Sequence, residues 1–258
     1  MARTGWRQVV AGNWKMHKTT DEAIAFVDAF LPLLPSVPAT VDIVLCPPFT
    51  ALDAVCRRLR GHDRVSVGAQ SMSWAQNGAF TGEISPPMLT DLGVRYVILG
   101  HSERREFFNE SDGDVRRKVA AALTNGLTPI VAVGETLAER EAGVADDRVV
   151  AQTGAALDGL GTDAIAKIVL AYEPIWAIGT GRNCNAGDAD AVMRAIRTSV
   201  RGLDCVPILY GGSVKSGNVR EYMQQPNIDG GLVGGASLDP NDFAALLCAA
   251  CEGTRDEV

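Results

Sequence analysis

Long apolar runs are missing from this chain of 258 residues: no hydrophobic stretch approaches the roughly 20 residues needed to cross a bilayer. The opening MARTGWRQVVAGNW also lacks the apolar core of a secretory signal, so the expectation is a cytoplasmic protein with no membrane partner. Excess positive charge is absent too. With 24 Lys and Arg against 31 Asp and Glu, the formal charge of −7 argues against a nucleic-acid-coating surface and confines any anion site to a local pocket. Histidine is scarce: only His17, His62 and His101 occur, without an H-E-x-x-H pattern, and no carboxylate cluster resembles a calcium loop, so no metal is expected. No G-x-x-x-x-G-K-[ST] is present, and Gly179-Thr180-Gly181 lacks the third glycine of a dinucleotide fingerprint. No nucleotide or redox cofactor is indicated. The cysteines at 46, 56, 184, 205, 248 and 251 are scattered, which suits free thiols better than a disulfide framework. Cys248 and Cys251 form a lone C-x-x-C inside a helical pattern and are read as helix packing, and the sequon at Asn109 has no meaning without secretion.

What is present is an alternation. Short β-rich runs, beginning with QVVAGNW, VDIVLCP and VSVGAQ, each precede a longer helical pattern, and the series continues through YVILGH, PIVAVGE, KIVLAYEP, PILYGGS and GGLVGGAS. The strands are nearly continuous apolar runs, as expected of parallel strands covered on both faces. Eight such units, with no Pro/Ser-rich linker between them and 47% hydrophobic residues to fill a core, fit an α/β fold: a single closed (β/α)₈ barrel with an eight-stranded parallel sheet over residues 1–258. Helix signals agree with this frame: Thr19 or Thr20 ahead of Asp21-Glu22, Asn218 ahead of VREYM, and Gly126 after AAALTN. The third connection, SMSWAQNGAFTGEISPPM, is long and carries Trp74 and Phe80, so it either folds back on its own barrel or inserts into another subunit.

In a parallel barrel all strand C-termini meet on one rim, where the loops build the site. The runs end in Asn13 with Lys15 close behind, His101, Glu173, Gly211-Gly212-Ser213 and Gly234-Gly235. Taken singly, Glu173 and Lys15 read as solvated charges, His101 as a cap for SERREFF and the glycine pairs as tight turns. Joint placement on one rim favours chemistry instead. Glycine-rich turns at helix starts can hold an anion on backbone N–H groups, and one carboxylate, one imidazole and one lysine suit proton movement next to a carbonyl.

AGNWKM (11–16), GAFTGEIS (78–85), LGHSERR, AYEPIWAIGTG (171–181), YGGSV (210–214) and GGLVGGASL (230–238) form an ordered set that runs almost end to end. In these motifs the chain resembles the triosephosphate isomerase family. The resemblance implies the TIM barrel, no cofactor, and a glycolytic and gluconeogenic isomerase converting dihydroxyacetone phosphate and glyceraldehyde 3-phosphate through an enediolate. It implies Glu173 as the base, His101 as the group polarising the carbonyl, Lys15 as positive charge, Asn13 as a positioning residue and Glu103 in the network around Lys15. Phosphate contacts would come from Gly179, Ser213, Gly234 and Gly235. It further implies a homodimer in which the loop containing Thr81 reaches the partner's site.

Two electrostatic expectations accompany this. The start of the SERREFF helix should keep His101 neutral, and shielding by Ile178 and neighbouring loop residues should raise the basicity of Glu173 when substrate is bound. The sequence departs from the family pattern at Ala132, where cysteine is frequent, at Arg182-Asn183-Cys184, and at His17, which flanks the site without an expected catalytic role. The rival readings are an isomerase of a four-carbon ketose phosphate and an inactive phosphometabolite-binding protein.

Overall fold

The computed structural model describes residues 8–178 and 184–252. Eight parallel strands close into a barrel in chain order: β1 (Gln8–Asn13), β2 (Val41–Cys46), β3 (Val65–Ala69), β4 (Tyr96–Leu99), β5 (Thr128–Val133), β6 (Val169–Tyr172), β7 (Ile208–Tyr210) and β8 (Gly230–Val233). Closure is made by β1 against β8, with Gly12 opposite Val233, while Asn13 lies opposite Cys46 of β2 and Val133 of β5 opposite Tyr172 of β6. This register brings the strand ends to one rim, as the sequence predicts.

The helices follow the strands. The principal ones are α1 (Thr20–Phe30), α2 (Leu52–Arg58), α3 (Pro86–Leu92), α4 (Ser102–Phe108), α5 (Asp112–Thr124), α6 (Leu137–Glu141), α7 (Ala145–Leu157), α8 (Thr162–Ile165), α9 (Ala186–Ser199), α10 (Val219–Met223) and α11 (Pro240–Glu252). Thr19 starts α1 through a reciprocal capping box with Glu22, and Ser111 does the same for α5 with Asp114, which satisfies N–H groups that the first turn leaves open. The short helices α6 and α8 were not expected from the sequence. They span only five and four residues, too short for a hydrophobic period to register.

Two cores result from the alternation of side chains along each strand. Inside the barrel Val9, Ala11, Val44, Ile98, Ile130, Val169 and Leu209 fill the axis, together with Ala132, so the alanine at that position packs in the barrel interior. Outside, strand residues such as Val10, Ile43, Val97 and Val131 pack against the helices, where Trp14, Phe26, Phe30 and Phe243 form a chain of aromatic contacts. Cys248 donates to the carbonyl of Ser36, consistent with a packing role, and the cysteines are free thiols.

The base of the third loop folds back on its own barrel. Its base is closed by Ser73 N–H donating to Ile84 O (2.8 Å), and Trp74 folds back under the guanidinium of Arg117. Its tip is exposed from Gln76 to Glu83, with Phe80 45% accessible. Among the described residues, no helix is long and apolar enough to cross a membrane.

Candidate active site

Glu173 is the first residue past β6, and its backbone is fixed before its side chain is considered. Its N–H donates to Val133 O (2.8 Å), and Gly134 lies so close that a Cβ there would meet Glu173 O at 1.9 Å. Only glycine permits that approach. The next residues, Ile175–Ala177, form a 3-10 turn held by Glu135: Ile175 N–H donates to its carbonyl, while Trp176 Nε1–H and Tyr172 Oη–H donate to its carboxylate at 2.8 and 3.0 Å. Glu135 is fully buried, and burial raises its pKa above the ordinary carboxylate value despite those donors.

The Glu173 side chain is 2% exposed. Oε2 accepts from Ser102 N–H at 2.8 Å, and Oε1 lies 3.0 Å from His101 Nε2 without an aligned hydrogen bond, which leaves that oxygen as a buried acceptor with capacity to spare. Burial by itself pushes this carboxyl up. The imidazole and the two Ser102 donors outweigh it, so the pKa is lowered.

His101 caps α4, accepting from Glu103 N–H on Nδ1 at 3.2 Å. An acceptor Nδ1 leaves the ring proton on Nε2, which faces Glu173 and the cavity. The capping role and the site role thus coexist in one residue. The expectation that the helix start would depress this imidazole is corrected: burial does lower its pKa, but the carboxylates of Glu173 and Glu103 raise it by more. Helix α4 has only seven residues and carries Glu103 in its first turn, so its dipole is opposed by a full negative charge at the same end.

Lys15 adopts a left-handed backbone with φ +52°, unusual for a residue with a side chain. Its N–H donates to Asn13 Oδ1 (3.1 Å), its carbonyl accepts from Gln70 Nε2 (2.9 Å), and its Nζ contacts Glu103 Oε1 at 2.5 Å. The same Gln70 amide also donates to Cys46 O at 2.9 Å, tying the ends of three strands together. Gln70 and Glu135 were missed by the sequence reading. Both end an apolar run, in VSVGAQ and VAVGE, so the strand-end rule that found Glu173 applies equally to them.

Asn13, Lys15, His101, Glu173, Ser213, Gly234 and Gly235 all line one cavity of about 330 Å³. Ile178 and the exposed His17 line it as well. Glu103 stands behind, touching Lys15 and 3.7 Å from His101. Gly211 packs beneath the base, since a Cβ there would come 3.0 Å from Glu173 Cγ. Ser213 Oγ donates to Ala177 O (3.0 Å), linking the turn after β7 to the segment after Glu173. Gly179, together with Thr180, Gly181, Arg182 and Asn183, lies outside the described residues. Another cavity, of about 360 Å³, opens on the opposite face between β3, α2 and α3. It gathers none of the strand-end residues named above.

A family model described as triosephosphate isomerase matches residues 8–250. The chain is 56% identical over 250 residues to a triosephosphate isomerase of Symbiobacterium thermophilum, covering 95% of this chain and 97% of the relative. A Synechococcus triosephosphate isomerase is 53% identical over 243 residues, covering 93% of each chain, and one from Caldanaerobacter subterraneus is 48% identical over 247 residues, covering 93% of this chain and 98% of the relative. A barrel with these strand-end residues, and similarity of this extent, lead to one placement: the chain belongs to the triosephosphate isomerase family.

Proposed function

We propose that Glu173, His101 and Lys15 carry the reaction of this family in a cavity shaped for a phosphorylated triose. The protein is an aldose-ketose isomerase that interconverts dihydroxyacetone phosphate and D-glyceraldehyde 3-phosphate, a step of glycolysis. The observation that carries the assignment of roles is the buried carboxylate oxygen of Glu173 beside the Nε2–H of His101, on the wall of a cavity that also exposes the Lys15 ammonium.

The chemistry follows from these groups. Glu173 removes a proton from the carbon next to the carbonyl and returns it to the neighbouring carbon, passing through an enediolate. His101 offers Nε2–H to the oxygen on which negative charge develops, and Lys15 adds a fixed positive charge nearby. Substrate entering between Glu173 and His101 removes the contact that lowers the carboxyl's pKa, so the base strengthens on binding. Asn13 and Glu103 hold Lys15 in place, and the phosphate is received by Ser213, Gly234 and Gly235, with Gly179 the remaining contact. Exclusion of water from the 2%-exposed carboxylate favours return of the proton to carbon.

The active protein is a homodimer of cytoplasmic chains, each a single barrel over residues 1–258. The exposed side chains of Met16, Phe80, Met88, Phe107 and Phe108 support a self-association surface, and Thr81 lies at the exposed tip of the loop that would cross to the partner. No other partner is required. The test is a coupled assay of triose and tetrose phosphates with the parent and Glu173→Ala. Triose phosphate is expected to turn over far faster than tetrose phosphate, and the variant to lose nearly all kcat while still binding inorganic phosphate. Near-normal kcat in Glu173→Ala would remove the carboxylate from the mechanism, and a preference for the tetrose would favour the four-carbon reading.

A further inference from the structure

Lys18 is a second lysine in the loop that follows β1, and its backbone is also left-handed, with φ +76°. Glycine would adopt that conformation without steric cost, so the side chain must supply a compensating interaction. Its Nζ donates to Leu238 O at 2.8 Å, across more than two hundred residues of chain. The same ammonium lies 5.4 Å from the Trp14 ring centroid and 5.0 Å from that of Phe26, within cation–π range of both. The nearby carboxylate of Glu22 is already engaged by the N–H and hydroxyl of Thr19.

Leu238 ends the 3-10 turn Gly235–Ser237 that follows β8, and its own N–H donates to Gly235 O at 3.1 Å. It lines the same cavity as Lys15, Gly234 and Gly235. Trp14, on the other side of the ammonium, is the buried residue between Asn13 and Lys15. Lys18 therefore clamps the glycine turn to the loop carrying the Lys15 ammonium. Among the described residues, the two walls are otherwise joined here by packing and the neighbouring β1–β8 strand pair.

We propose that Lys18 is a positioning residue for phosphate recognition: it holds the Gly234-Gly235 turn at a fixed distance from Lys15 without touching the substrate itself. This rests on the assignment of that turn to the substrate phosphate. A cation bound to the last carbonyl of the turn also orients its peptide dipoles, with the N–H groups at the opposite end free for an anion.

The test compares Lys18→Met, Lys18→Gly and Lys18→Arg with the parent. Three quantities are measured: the competitive inhibition constant of inorganic phosphate, KM for glyceraldehyde 3-phosphate, and kcat/KM for unphosphorylated glyceraldehyde. Lys18→Met and Lys18→Gly are expected to raise the phosphate inhibition constant and KM by about three- to tenfold, the scale of one charged hydrogen bond acting indirectly. Turnover of glyceraldehyde should stay at the parental value, and Lys18→Arg should restore phosphate binding. The glycine variant removes the backbone strain, so retained thermal stability there separates weakened recognition from unfolding. Unchanged phosphate inhibition in the Met and Gly variants, equal losses on glyceraldehyde, or an Arg variant as weak as Met would each overturn the proposal. If inorganic phosphate fails to compete even in the parent, the phosphate assignment of the turn falls, and the role of Lys18 falls with it.

Discussion

Replacing Glu173 with Asp withdraws the carboxylate by one methylene, about 1.5 Å. Oε2 now sits 2.8 Å from Ser102 N, and the shorter side chain leaves that donor roughly 4 Å away, beyond hydrogen-bond range. The side chain is buried, so water does not readily replace the lost acceptor, and the unsatisfied N–H is expected to destabilise the protein by about 1–3 kcal/mol. For a chain of this size that corresponds to a fall in Tm of several degrees, at about 2–4 °C per kcal/mol. Catalysis should suffer far more. A misplacement on the order of 1 Å can cost about 10²-fold, so kcat is expected to drop by roughly 10²–10³. KM should move only a few-fold, because Ser213, Gly234 and Gly235 stand on the β7 and β8 loops and are untouched. The assay follows glyceraldehyde 3-phosphate conversion by reducing the ketose product with NADH, alongside a thermal melt. A folded variant with kcat within about threefold of the parent would show that the position of this carboxylate does not limit proton transfer.

The His101–Glu173 contact also sets a pH dependence. The lowered Glu173 pKa contributes stability present above 4.5 and lost as pH falls through the lower folded value, whereas the raised His101 pKa contributes stability present below 6.5 and lost as pH rises through the higher folded value. The advantage of the parent over Glu173→Gln in thermal melts should therefore be fullest between pH 4.5 and 6.5, and a difference independent of pH would contradict the coupling. Arg197 is buried, paired with Asp229 at 2.5 Å and bonded to the carbonyls of Leu203, Val206 and Asn227. Arg197→Met is expected to cost about 3–5 kcal/mol in denaturant unfolding with kcat little changed, and a loss under 1 kcal/mol would refute the account. Phe80→Asp places a charge on the exposed loop tip and should shift sedimentation from the proposed dimer to monomer with a marked loss of kcat. A fully active monomer would sever the link between assembly and catalysis.

The barrel was legible in the sequence because each of its eight units carries its own local signal. Apolar runs, capping residues such as Thr19, and glycines such as Gly126 act within a few residues of chain. The rim rule then assembled Asn13, Lys15, His101 and Glu173 from positions far apart in sequence. Gln70 and Glu135 obey the same rule, but an amide or a buried acid at a strand end carries no separate chemical signature. They were legible in position and not in role.

The sequence by itself determined which groups meet, since closing eight parallel strands leaves their C-terminal residues nowhere else to go. Only the tertiary structure decided how those groups are set. The left-handed Lys15 is fixed locally by Asn13, and contacts between different strand ends do the rest: Gln70 holds the Lys15 carbonyl, Leu238 O the Lys18 ammonium, and Ser102 N–H the Glu173 carboxylate. Contacts with Glu173 and Glu103 reversed the sequence-based expectation for His101, whose pKa follows these two carboxylates more than its own helix. Hydrogen bonds and charge interactions depend on distances of a few ångströms, and those distances exist only once the barrel has closed.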